Sequence, residues 1–273
     1  MFGGWRRAVR RAAARVAGQR QSAPPPPRCP EGWRTGGPDF VGIGAMKAGT
    51  SWWYALVVEH PDAVDVPGRP KEVHYFDRFS VEEFSPEDRE GYAAFFPRPS
   101  GRLVGEWTPR YMHDFATPAL LADCAPDAKL LVLLRDPVER FISGVTHETT
   151  RGWPATDVML ADHFARGVYV DQLERVAQSY SRDKLLVLQY ERCVASTRAA
   201  IATTYEFLGL DRGFAPPSLD RRINETSGPP LDMSPATRRR LVDAYRPSVD
   251  RLVAAFPDLE VDLDLWPNFT TAA

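Results

Sequence analysis

The chain alternates between short apolar runs and longer segments in which apolar residues recur every three or four positions. The apolar runs predict buried strands at residues 40–43, 130–134 and 185–188. The helix-like segments cover residues 50–60, 117–125, 168–180 and 197–208, and a long one follows Ser234. Strands that alternate with helices predict an α/β domain with a parallel sheet. We therefore expect one P-loop-like domain, in which helices flank the sheet.

A glycine-containing turn joins the first predicted strand to the first helix. Residues 44–51 read G-A-M-K-A-G-T-S, which is not Walker A, because Lys47 lies inside the loop and Thr50 takes the lysine position. A dinucleotide fingerprint would need a third glycine at position 47. Backbone N–H groups and the helix dipole would favour an anion here. The alternative is a tight turn without a ligand, but a cation such as Lys47 among small residues at a helix N-terminus is costly unless an anion is present, which favours an anion site.

A second candidate site follows the apolar run at 130–134. Arg135 comes directly after the strand, and Asp136 and Pro137 are typical of a helix start. Ser143 lies two turns into this helix, so Arg135 and Ser143 can converge on one phosphate. The alternative is that Arg135 pairs with a nearby acid.

Two further stretches carry polar groups suited to chemistry. Residues 69–77 read R-P-K-E-V-H-Y-F-D, and an extended backbone would place Glu72 and His74 on one face. These two groups can exchange a proton near neutral pH, although a surface ion pair is the alternative. Residues 105–111 predict a short strand that enters a turn and lines a substrate cleft.

Charge and cysteine content exclude several classes of protein. The net charge is −2, but residues 1–36 hold eight arginines against one glutamate, which leaves −9 for residues 37–273. An acidic body makes general nucleic-acid binding an unsuitable function. Three widely spaced cysteines give neither a disulfide scaffold nor a zinc site and suit a reducing compartment. No apolar run is as long as a membrane span, which predicts a cytoplasmic protein.

The first 36 residues differ from the rest of the chain. Residues 4–19 predict an arginine-rich amphipathic helix that contacts an anionic membrane surface or an acidic partner. The alternative is a solvated tail. Residues 24–27 are four prolines, a stiff spacer. We therefore divide the chain into a tail and linker at 1–36 and a catalytic domain at 37–273.

Four stretches carry a resemblance to a known family. Residues 46–52 (M-K-A-G-T-S-W) and 134–143 (L-R-D-P-V-E-R-F-I-S) resemble the two signature motifs of the PAPS-dependent sulfotransferases. Residues 71–77 (K-E-V-H-Y-F-D) resemble a stretch of the heparan-sulfate-type branch. Residues 106–111 are similar to the acceptor-side turn of that branch. The resemblance covers roughly residues 38–210.

The resemblance implies the sulfotransferase fold and a reaction. A sulfonate group would pass from PAPS (3′-phosphoadenosine 5′-phosphosulfate) to a hydroxyl of a carbohydrate, glycolipid or small molecule, which leaves PAP and uses no metal. It also implies donor-site roles. The 5′-phosphate would bind to Lys47, Ala48, Gly49, Thr50 and Ser51, the adenine to Trp52, and the 3′-phosphate to Arg135 and Ser143.

The resemblance assigns the chemistry and the acceptor side as well. Glu72 is the expected general base, His74 is the second candidate, and Lys47 stabilises the leaving phosphate. Acceptor contacts are expected from Lys71, His74, Asp77, Thr108 and Tyr111.

The chain departs from the family at residues 220–228, which lack its glycine-and-basic loop. Arg221 or Arg222 would have to replace that loop at the 3′-phosphate. The lack of a membrane anchor indicates a soluble enzyme of bacterial type.

Two other functions are compatible with parts of the pattern. A P-loop kinase would depend on ATP and Mg²⁺, but the Walker A lysine is absent. A non-catalytic binding module would act through its basic tail and would tolerate replacement of Glu72. Thermal stabilisation by PAP, compared with ATP plus Mg²⁺, distinguishes these functions.

Overall fold

A computed structural model of the protein describes residues 23–221 and 231–270. These residues form one five-stranded sheet in which every pair of neighbouring strands is parallel. The order of the strands is β2-β3-β1-β4-β5. The strands are β1 (Phe40–Gly44), β2 (Ala63–Val64), β3 (Leu103–Trp107), β4 (Lys129–Leu134) and β5 (Leu185–Gln189).

Nine α-helices flank this sheet within the described ranges. They are α1 (Thr50–Val58), α2 (Pro86–Ala93), α3 (Thr117–Cys124), α4 (Pro137–Thr150), α5 (Asp157–Ala165), α6 (Tyr169–Ala177), α7 (Tyr190–Ala195), α8 (Thr197–Leu208) and α9 (Pro235–Ala255). The α/β prediction is therefore confirmed.

The burial of the central strands β1 and β4 follows from their apolar sequences. Every residue of β1 is buried, and β4 is buried except at Lys129. Strands covered on both faces need continuous apolar sequence, and this is what residues 130–134 provide. The strand β3 has a mixed sequence with Gly105 and Glu106, yet it lies between β1 and β2.

Helices α3 and α4 both begin where the sequence predicts. The Asp136 carboxylate accepts hydrogen bonds from the backbone N–H groups of Val138 and Glu139. Helix α3 begins at Thr117, whose backbone N–H is bound by the Asp114 carboxylate. The Asp114 carboxylate, which also accepts from the Ala116 N–H, therefore satisfies backbone donors at the start of this helix.

The backbone at residues 69–77 does not stay extended as the alternation of faces required. His74 has a left-handed backbone (φ 55°), and a 3₁₀ helix follows at Tyr75–Ser80. Consecutive side chains, Tyr75 and Phe76, are both buried as a result. The predicted alternation of faces is therefore wrong beyond His74.

The linker region is partly attached to the domain. Arg34 and Arg98 form an isolated antiparallel bridge, with backbone hydrogen bonds of 3.0 and 2.9 Å. The predicted helix at residues 4–19 lies outside the described residues, and the boundary after residue 36 stays a prediction.

All five strands point the same way, so their carboxyl ends meet at one edge of the sheet. The loop after β1, Arg135 after β4 and Tyr190 after β5 all leave the sheet at this edge. The connection that leaves β1 runs to β2 on one side of the sheet, and the connection that leaves β4 runs to β5 on the other side. This reversal of direction places the crevice between β1 and β4.

Candidate active site

The loop at residues 45–49, which we call the anion loop, forms a concave turn before α1. Gly49 has φ 81°, and a Cβ atom there would lie 2.7 Å from the ring of Tyr190. Only glycine fits this position without strain. Helix α1 has no side-chain cap and no acid in its first turn. Its first N–H groups are therefore open to an anion.

Lys47 places a positive charge within this loop. Burial lowers the pKa of Lys47, and the neighbouring charge of Arg135 lowers it further. Two cations close together repel each other unless an anion lies between them. The residues present therefore fit a ligand with negatively charged phosphates.

Arg135 extends from the end of β4 towards the anion loop. Its Nη1 donates to the backbone carbonyl of Lys47 at 3.2 Å, and its guanidinium carbon lies 5.2 Å from the ring centroid of Tyr190. Tyr169 donates from its hydroxyl to the Arg135 carbonyl at 2.8 Å. Ser143 is half-buried on α4. The predicted pair of phosphate-binding motifs is thus brought together at one sheet edge.

Trp52 packs into the domain beside the anion loop. Its side chain is only 3% exposed, and its ring lies edge-on to Trp53 and Tyr190. Its indole Nε1 has no hydrogen-bond partner within residues 23–221 and 231–270. The adenine contact expected for Trp52 stays a prediction.

Glu72, His74 and Asp77 form a continuous hydrogen-bonded chain. His74 Nε2 lies 3.1 Å from Glu72 Oε2, and His74 Nδ1 lies 3.0 Å from Asp77 Oδ2. Asp77 is buried, with Arg110 Nε at 3.5 Å from the same Oδ2 atom. Asp77 therefore holds the imidazole in place, and the acceptor contact expected of it stays a prediction.

The charges of Glu72 and His74 follow from the hydrogen bonds that link them to each other and to Asp77. Burial alone would raise the pKa of Glu72, but the His74 hydrogen bond and the Lys71 charge lower it to about 2. Burial disfavours a charge on His74, but hydrogen bonds to Asp77 and Glu72 raise its pKa to about 9. At neutral pH Glu72 is a carboxylate and His74 an imidazolium. Of the two groups, only Glu72 is unprotonated at neutral pH.

Lys71 connects this carboxylate to the start of α1. Its Nζ lies 2.9 Å from Glu72 Oε1 and donates to Ser51 Oγ at 3.1 Å and Thr50 Oγ1 at 3.3 Å. Burial lowers the pKa of Lys71, which the Glu72 charge partly opposes. The residues expected to bind the donor and those expected to do the acid–base chemistry therefore touch.

Thr108 and Tyr111 are interior residues. Thr108 is fully buried and donates to Glu106 Oε2 at 2.5 Å, while Tyr111 is 1% exposed and accepts from the Tyr75 N–H at 2.9 Å. Both side chains are used to fix neighbouring backbone. The acceptor contacts expected of these two residues stay a prediction.

Glu106 supports the backbone of the site, a role that the sequence did not indicate. It is fully buried, accepts from the Tyr92 hydroxyl at 2.8 Å and accepts from the Val73 N–H at 3.0 Å. Val73 lies between Glu72 and His74, so Glu106 fixes the backbone that carries them. An acid inside the predicted strand at 105–111 was the available signal.

The basic residues after α8 are only partly described. Arg221 is exposed, and its backbone N–H donates to the Ser218 carbonyl. Arg222 lies outside the described residues. The assignment of either to the 3′-phosphate stays a prediction.

Comparisons with known proteins give one consistent family. The family model described as a sulfotransferase domain matches residues 38–230. The crystal structure of a sulfotransferase from Alicyclobacillus acidocaldarius superimposes with a TM-score of 0.65 and 26% identity, and the match covers 84% of this chain and 98% of that one.

Curated relatives match over part of their length. Human heparan sulfate glucosamine 3-O-sulfotransferase 3B1 is 26% identical over 198 residues, which are 64% of this chain and 47% of the relative. The membrane-associated sulfotransferase kil1 of Dictyostelium discoideum is 34% identical over 110 residues, or 39% of this chain and 22% of the relative. The chain spans about half the length, or less, of these curated relatives.

The cytoplasmic location expected from the sequence is contradicted by these relatives, since one of them is described as membrane-associated. Among the described residues, no helix combines the length and the apolar character that a bilayer crossing requires.

Proposed function

The chain belongs to the PAPS-dependent sulfotransferase family, and from this premise we propose that it transfers a sulfonate group from PAPS to an acceptor hydroxyl. PAPS supplies the sulfonate group and, after transfer, leaves as PAP. One observation supports the proposal best. Lys71 joins the Glu72 carboxylate to the hydroxyls of Thr50 and Ser51, so a proton acceptor lies beside the anion loop.

The donor site we propose uses the cations and N–H groups at the sheet edge. Lys47 and the N–H groups at the start of α1 bind the 5′-phosphate end, because uncapped N–H groups and a cation meet there. Arg135 and Ser143 bind the 3′-phosphate. Lys47 also stabilises the negative charge that develops on the leaving phosphate.

We propose Glu72 as the residue that accepts the proton of the acceptor hydroxyl. His74 is already protonated at neutral pH, so it holds Glu72 in place and balances its charge. A low pKa makes Glu72 a weak base, and its effect therefore depends on its position beside the nucleophile. Proton transfer late in the reaction needs no strong base.

The acceptor class we propose is a carbohydrate hydroxyl, on a free glycan or a glycolipid. The support is the similarity to heparan sulfate glucosamine 3-O-sulfotransferases, together with residues 71–77. A small-molecule hydroxyl is the second candidate, because the chain matches only 47% of the length of the human 3B1 relative, at 26% identity.

The first experiment measures the thermal unfolding midpoint with PAP, and with ATP plus Mg²⁺. We expect PAP at a hundredfold excess over its dissociation constant to stabilise the chain by about 2.7 kcal/mol. Stabilisation by ATP plus Mg²⁺ alone would support a kinase instead. Incubation with PAPS and cell extract, followed by mass spectrometry, then identifies the sulfonated acceptor, and a product sulfonated on a sugar supports the proposed class.

A further inference from the structure

The last described segment of the chain returns to the base of the Arg135 site. We call residues 266–269 the C-terminal strap. Asn268 donates to Asp136 Oδ2 twice, from its backbone N–H at 3.0 Å and from its Nδ2 at 2.9 Å. Asp136 is the neighbour of Arg135, and its other oxygen caps helix α4. The strap therefore contacts the residue on which the direction of Arg135 depends.

A second contact of the strap leads to the same place. Trp266 Nε1 donates to Glu191 Oε2 at 3.0 Å, and the Asp136 N–H donates to Glu191 Oε1 at 2.9 Å. Glu191 follows Tyr190, whose ring lies under the Arg135 guanidinium. Glu191 thus links the C-terminal strap to the Asp136 backbone, and it is the neighbour of Tyr190, whose ring contacts Arg135.

These contacts hold two buried carboxylates in a low-polarity environment. Asp136 is fully buried, and burial raises the pKa of both Asp136 and Glu191. A buried carboxylate that loses a donor must find another or move. Movement of Asp136 would turn Arg135, because the two residues share a peptide unit.

The orientation of Asn268 is itself fixed. Arg238 donates from Nη1 to Asn268 Oδ1 at 3.0 Å and to Glu139 Oε1 at 2.6 Å, so the amide can present only its Nδ2 to Asp136. The strap is therefore a rigid partner of Asp136, since both ends of the Asn268 amide are bound.

We propose that Trp266 and Asn268 are positioning residues that aim Arg135 at the 3′-phosphate of the donor. This inference rests on the proposed function and adds to it a part of the chain outside both phosphate motifs. It assigns a role to residues that lie more than 120 positions after Arg135.

The test compares binding of PAP with binding of adenosine 5′-monophosphate, which lacks the 3′-phosphate, by isothermal titration calorimetry. The variants are Asn268→Ala and Trp266→Phe, of which the second keeps an aromatic six-membered ring but removes the N–H donor together with part of the buried indole. We expect each to weaken PAP binding about tenfold and to change monophosphate binding less than about twofold. The control is Val249→Ala, a core substitution in α9 that lowers stability without contacting Asp136.

The outcomes separate this inference from the proposed function. A wild-type chain without a preference for PAP over the monophosphate overturns both. A wild-type chain with that preference, and strap variants that retain it, overturn the inference alone. Equal weakening of both ligands, or the same loss in Val249→Ala, shows a general structural effect and also overturns it.

Discussion

The carboxylate of Glu72 has two charged neighbours, and each determines part of its behaviour. Lys71 binds Oε1 and His74 binds Oε2, so both oxygens point along fixed directions. An incoming hydroxyl must therefore approach a carboxylate that cannot rotate. This restriction favours one acceptor orientation over others.

Replacement of Glu72 by glutamine is the direct test of its role. We expect Glu72→Gln to lower kcat about a hundredfold or more, because the amide cannot accept the proton. Affinity for PAP, measured by calorimetry, should stay within about twofold, since Glu72 does not bind the donor phosphates. Glu82→Gln, at an exposed site beside Arg78, is the matched control. Full turnover in Glu72→Gln would remove it from the mechanism.

His74 links the site to the pH dependence of stability. Its pKa is about 9 in the folded chain, against the ordinary 6.5. Below pH 6.5 both folded and unfolded chains hold the proton, and the stabilisation is fully present. Between pH 6.5 and 9 only the folded chain holds it, so stability falls as the pH rises.

The Asp77→Asn variant should reduce this dependence, because the amide no longer supports the imidazolium charge. We expect a lower His74 pKa by NMR titration and a smaller loss of unfolding free energy between pH 6 and pH 9. The Asp65→Asn variant provides the comparison, since Asp65 contacts Tyr54 and not His74. An unchanged His74 pKa in Asp77→Asn would contradict this account.

At the scale of elements, the conformation of the anion loop depends on Gly49 and on the ring of Tyr190 that packs against it. Gly49 and Gly68 both have φ near 80°, but a Cβ at Gly68 would meet nothing within 4 Å. We expect Gly68→Ala to lower the unfolding free energy by about 1 kcal/mol through backbone strain alone. Gly49→Ala should cost more and also weaken PAP binding, because the methyl group displaces Tyr190. Urea unfolding and calorimetry measure the two effects, and equal behaviour of both variants would contradict the clash.

The junction between α1 and the Glu72 stretch is a second element-scale feature. Lys71→Met and Ser51→Ala each remove one side of a hydrogen bond of 3.1 Å. In a double-mutant cycle on kcat/KM for PAPS, we expect a coupling free energy of about 1 kcal/mol. Lys184→Met, which breaks an exposed pair with Asp127, is a control that should not couple to Ser51. Simple additivity of Lys71→Met and Ser51→Ala would show that the junction carries no energy.

Across the whole molecule, the sequence predicted what depends on local pattern. Continuous apolar runs give β1, β4 and β5, and parallel strands place Lys47 and Arg135 at one edge. Arg135 follows β4 directly and Lys47 lies three residues after the end of β1, so the direction of the sheet is enough to predict that they meet. The family membership of the chain agrees with both motifs.

The sequence did not reveal which side chains point inwards after a strand ends. Thr108 and Tyr111 follow β3, yet hydrogen bonds to Glu106 and to the Tyr75 backbone draw them into the interior. The position of Tyr111 depends on a partner 36 residues away, which local patterns do not identify. For the same reason, periodicity gave no indication that Asn268 contacts Asp136.

The contact between Asn268 and Asp136 spans 132 positions, which has a consequence for how the chain is made. During synthesis on the ribosome, all five strands emerge well before the residues that brace Arg135. A nascent chain can therefore complete its sheet before Asn268 reaches Asp136. Under the positioning role proposed for Asn268, tight retention of the nucleotide would begin only after residues 266–269 have folded against Asp136.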